Sequence, residues 1–71
     1  MSDWHIGLIA SDGGDNVIHG LILDRGRHLV HVHQDDNGQW VVRRLAGHVM
    51  VLHDRFCDFG NAIAAAEDIC R

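Results

Sequence analysis

From Trp4 to Leu45 the chain alternates apolar and polar residues in short runs, and each run stops at a cluster containing glycine. A period of two sends successive side chains to opposite faces and predicts strands, where a helix would repeat at 3.6 residues. The runs are 4–10, 17–24, 28–33 and 40–45, separated by SDGGDN at 11–16, Arg25-Gly26, and DDNG at 35–38. Gly, Asn and Asp tolerate the backbone angles of tight reversals, and the pair Asn37-Gly38 favours a two-residue type I′ hairpin turn. Consecutive hairpins imply an antiparallel meander.

With such turns, Trp4, Ile6, Leu8, Leu21, Leu23, Val30, Val32, Val41 and Leu45 fall on one face, the expected core. The other face receives His5, Ile9, Ile18, Ile22, Leu29, His31, His33, Trp40, Val42 and Arg44. VMVL at 49–52 reads either as a fifth strand or as part of a packed connection. After it, Asp58 is placed to cap a helix of about 12 residues in which Phe59, Ile63, Ala66 and Ile69 recur at helical steps. The expectation is one α+β domain over residues 1–71: a four- or five-stranded antiparallel meander with one C-terminal helix packed on its core face. One helix covers one face, so Ile18, Ile22, Leu29, Trp40 and Val42 are read as an interface, with a homodimer as one occupant.

A chain of 71 residues has material for one core only. No apolar run reaches the roughly 18 residues of a membrane span, and MSDWHIG lacks the basic start of a signal peptide, so a cytoplasmic location and no membrane partner are expected. Cys57 and Cys70 are too few for a disulfide framework. The net charge is −4 with six Arg and no Lys, a poor balance for holding phosphates, so direct nucleic-acid binding is not expected and a basic protein surface is the better partner.

Few residues carry recognisable chemistry. His31 and His33 share a face, but zinc wants at least three protein ligands and no third is evident. His53 and Cys57, four apart, would bring an imidazole to a thiol if they lay on a helix. DGGDN and DDNG hold carboxylates without the ligand spacing of an EF-hand. The reading is therefore no cofactor, no metal and no enzyme, with a His-based metal-binding or thiol protein as one alternative and a sheet-face DNA-binding or protein-interaction module as another. Topology adds a positive feature: in a meander the first and third loops leave at the same end, which gathers Asp12, Asp15, Asp35 and Asp36 into an acidic pole opposite Arg25 and Arg27.

The segment from His28 to Arg71, with HLVHVHQDDNGQWVVRR, the step Gly38-Gln39-Trp40-Val41-Val42 and the helix start in DRFCDFGNAIAAAEDIC, resembles a small bacterial strand-strand-helix family of unknown function. The stretch from Leu45 to Asp54 is longer than that family's spacer. A similar pattern of strands and helix occurs in the DNA-binding arms of phage integrases, which are basic where this chain is acidic. In character the whole chain resembles the anti-CRISPR proteins of phages, short single domains of which several present carboxylates where DNA phosphates would lie. That resemblance implies a non-enzymatic inhibitor in a bacterial host cell, binding a Cas (Cascade) subunit and blocking target DNA through an acidic surface.

Overall fold

The computed structural model describes residues 3–11 and 16–71. Strands β1 (Trp4–Ala10), β2 (Val17–Arg25), β3 (His28–Gln34), β4 (Trp40–Ala46) and β5 (Val49–Phe56) precede one helix, α1 (Phe59–Ile69). They form a single sheet in the order β1-β2-β3-β4-β5 with every neighbouring pair antiparallel, and α1 packs mainly across β3, β4 and β5. The fold is α+β. VMVL belongs to a full fifth strand that continues to Phe56.

The connection from β3 to β4 departs from the expected turn. Type I′ needs positive φ at both central residues, and here Gly38 has it (φ 82°) while Asn37 does not. Gly38 N–H donates to Asp35 O at 3.1 Å and Asp35 N–H to Gln39 O at 2.9 Å, which is a type I turn completed by a glycine bulge. Asp35 holds this shape, since its Oδ1 accepts from the N–H groups of Asn37 and Gln39 at 2.9 Å each. The loop sets Trp40 opposite Gln34 and Val42 opposite Val32. That is one residue away from the pairing a two-residue turn gives, and a slip of one exchanges the faces of the whole strand. Trp40 and Val42 therefore lie on the helix side, and Val41 and Leu45 on the other.

Beneath α1, Leu23, Val30, Val32 and Val42 are fully buried against Ala62, Ala66 and Cys70, with Trp4, Leu21, Trp40, Phe56 and Ile69 packed around them. The helix presents small residues at four-residue steps, which lets it approach the sheet closely. Its stripe is rotated from the expected one. Phe59 is left at the edge, its ring 4.7 Å from that of Trp40 and tilted by 60°. The helix starts where the sequence indicated, with Asp58 Oδ2 accepting from Asn61 N–H at 3.0 Å.

Among the described residues no second layer covers the opposite face, yet Ile9, Val41 and His33 are buried there. Arg43 Nη1 on β4 donates to the carbonyl of Ser11, beside the end of β1, at 3.4 Å. In a flat sheet three strand spacings would part those strands by about 14 Å, beyond the reach of an arginine. The sheet therefore coils toward this face and covers it with its own edge. Gly7 and Gly20, opposite each other in the β1–β2 ladder, make room for this: a Cβ on Gly20 would overlap the Ile9 Cδ1 methyl, and one on Gly7 would stand 2.8 Å from Ile22 Cδ1. Between β4 and β5, Val42 pairs with Asp54 and Arg43 with Leu52, leaving His53 without an opposite residue. Such a bulge sharpens the local twist.

Exposed apolar residues occur on β4 and β5, where Leu45, Val49 and Leu52 are open, and on the helix side where α1 does not reach β1. Ile6 is 70%, Leu8 66% and Val17 70% exposed.

Candidate functional site

The β2–β3 ladder ends at Leu21–Val32, although β2 begins at Val17 and β3 runs to Gln34. The two strands part there, and a cleft opens between the β1–β2 hairpin and the rest of the sheet. On one side lies a recess of about 650 Å³ whose lining includes Ser11, Asn16, His33, Asp35, Asp36 and Arg55. On the other lies a groove of about 580 Å³ bordered by Ile6, Leu21, Trp40 and Phe59. Ile18, His33 and Gln34 border both.

Asp12 and Asp15 fall outside the described residues. The residues flanking them are joined across the base of their loop, Ser11 N–H donating to Asn16 O at 2.8 Å, and they share the recess with Asp35 and Asp36. The first and third connections therefore open at one end, as the parity of a meander requires. Asp35 and Asp36 differ in role. Asp35 is half-buried, committed to its turn, and lies 3.9 Å from Arg55 Nε; Asp36 is exposed.

Two carboxylates were missed from the sequence. Because β5 continues past Leu52, Asp54 sits on its outer half and Asp58 follows at the helix start. Gln39 Nε2 lies 3.9 Å from Cys57 Sγ, tying the third loop to the β5–α1 connection. Among the described residues this end thus carries Asp35, Asp36, Asp54 and Asp58, with the guanidinium of Arg55 beside Asp35 and that of Arg43 reaching the carbonyl of Ser11. At the other end the two arginines expected there differ: Arg27 is exposed, while Arg25 is offset by a carboxylate. Arg25 Nε donates to Asp3 Oδ2 at 2.8 Å, and Arg71 pairs with Asp68 at 3.1 Å. The Asp3 carboxylate raises the Arg25 pKa further above its ordinary value.

The five residues read as an interface do not share a face. Val42 is fully buried in the core and Trp40 packs beside it on the helix side, whereas Ile18, Ile22 and Leu29 are half-buried on the concave side. The slipped register of β4 is the reason.

His31 and His33 stay together on the concave face, near Arg43, which pairs with His31 across the ladder. Burial, then the charges of Arg43 and His33, lower the His31 pKa below its usual 6.5. His33 is 4% exposed; its Nδ1 lies 3.4 Å from Gln34 O and its Nε2 is buried without a partner. No three His, Cys, Asp or Glu side chains among the described residues come together as a metal-binding set. The helical pairing of His53 with Cys57 dissolves, because His53 lies in β5, which stays extended to Phe56, and Cys57 in the bend that follows. Both thiols are free, Cys57 exposed and Cys70 buried, and burial pushes the Cys70 thiol up. No helix among the described residues is long and apolar enough to cross a membrane.

Comparison of the chain with protein-family models, curated proteins and solved structures found no match.

Proposed function

We infer that the chain is a non-enzymatic binding module that sets its acidic end against a basic, nucleic-acid-binding surface of a protein partner. The observation that carries this reading is the charge asymmetry: Asp35, Asp36, Asp54 and Asp58 gather at one end with Arg55 beside Asp35, whereas at the other end Arg25 and Arg71 are tied to carboxylates and Arg27 is exposed. Such a field steers association with a cationic surface and opposes approach to phosphates. Asp36, Asp54 and Asp58 stand on a rigid turn, a strand and a helix cap, so their spacing is fixed before binding and little ordering is left to oppose association. The resemblance to anti-CRISPR proteins names the partner proposed here, a Cas subunit of Cascade, and the effect, exclusion of target DNA.

The test replaces Asp12, Asp15, Asp35, Asp36, Asp54 and Asp58 by Asn, which keeps side-chain shape, turn acceptors and a competent helix cap. Wild type should be retained by immobilised Cascade and should release its target duplex, with affinity declining as salt rises. The Asn variant should fold and bind at least tenfold more weakly, chiefly through on-rate. Undiminished binding by a folded Asn variant sinks the reading, and so does direct, salt-sensitive binding of duplex DNA by the chain itself.

A further inference from the structure

We propose that β1 is a pairing edge and that a second copy of this chain adds to it, antiparallel, about a two-fold axis through Gly7. The two edges of the sheet differ in kind. The β5 edge is blunted by the devices that prevent strand addition, a bulge at His53 and the charged pair Asp54 and Arg55. The β1 edge, WHIGLIA, has neither charge, proline nor bulge: it pairs residue for residue with β2 along its whole length, and among the described residues no other strand pairs with it. Its apolar side chains Ile6 and Leu8 stand largely exposed on the helix side, beyond the reach of α1.

Symmetry and charge select the occupant. Opposed residues in a sheet share a face, so two copies with their helices on the same side can pair only about an axis that passes through a residue. Gly7 is the middle of β1, and an axis there engages all seven residues of the strand. Ile6 then meets Leu8 of the second copy, His5 meets Ile9, and the bulky Trp4 meets the small Ala10. The antiparallel sense also sets the acidic end of each copy beside the end of the other where Arg25 is offset by Asp3 and Arg27 is exposed, whereas parallel addition would bring the two acidic ends together. The ladder is short, so the dimer sits at the small end of stable interfaces and forms in proportion to concentration.

Sedimentation equilibrium from about 10 μM to about 1 mM, bracketing the expected affinity, should show the 7.9 kDa chain passing to twice that mass. Ile6→Lys with Leu8→Lys sets like charges opposite one another twice and should leave a folded monomer, because both side chains are exposed in the single copy. Ile6→Lys with Leu8→Glu sets opposite charges at the same two places and should restore the dimer. Amide exchange of wild type should slow with concentration in β1 and not in β5. A wild-type monomer at the highest concentration overturns the proposal, as does a dimer that survives the double lysine variant, protection gained at β5, or a Lys and Glu variant that folds and stays monomeric.

Discussion

Asp35 shows how one side chain sets which residues form the core. Its Oδ1 accepts two backbone N–H groups and holds a turn whose extra residue brings Trp40 and Val42 to the helix side. Removing that acceptor leaves two turn N–H groups without their partner, so Asp35→Ala should cost about 1–2 kcal/mol in urea unfolding. Asp35→Asn, which keeps the acceptor, should cost less than half of that. Equal losses in the two variants would mean that charge, and not the turn, is what Asp35 supplies. Asn-Gly drew attention to the wrong pair, because it suits type I′ as readily as a type I turn that ends on glycine. The residues that decide between them, Asp at the first position and Gly at the fourth, were equally visible.

At the scale of elements, the positions of strands and helix were legible because alternation, glycine breaks and the Asp58 cap are local signals. What was not legible depends on pieces distant in sequence. The length of β5 is set by pairing with β4 around a bulge, which brought in Asp54 and Asp58 and separated His53 from Cys57. The offsetting of Arg25 at the other end depends on Asp3 meeting it across 22 residues. The covering of the concave face depends on coiling, for which the Gly7–Gly20 pair was a signal that alternation alone does not use. Gly20→Ala puts a methyl where Ile9 lies, so it should destabilise by about 1–3 kcal/mol, as overpacked sites do. Because the two residues share that space, Gly20→Ala combined with Ile9→Ala should cost less than the sum of the single changes. Strict additivity would show that coiling does not depend on this contact.

For the whole molecule, acid should act twice. His31 has a lower pKa folded than unfolded, so the unfolded chain binds its proton first. Its contribution to stability is complete above about pH 6.5, the unfolded value, and is lost as pH falls through the folded value. Over the same window the net charge passes zero near the sequence isoelectric point of 5.9, where self-repulsion is weakest and association easiest. Urea midpoints should therefore fall between pH 7 and pH 5.5, and His31→Gln should flatten the fall; a midpoint independent of pH in wild type would count against a desolvated His31.

The early end of the β2–β3 ladder divides the molecule mechanically. One part, β3, β4, β5 and α1, is locked by a shared core. The other, the β1–β2 hairpin, is joined to it by the five residue pairs between Leu21–Val32 and Arg25–His28 and sends only Leu23, with Leu21 and Trp4 beside it, into that core. In an isolated chain this leaf is the piece with the least to lose on opening, and its amides should be the first to exchange with water. It is also the piece that carries the open edge. The loosest part of the single copy is thus the part a second copy would clamp, so order in the hairpin and the concentration of the protein become one variable.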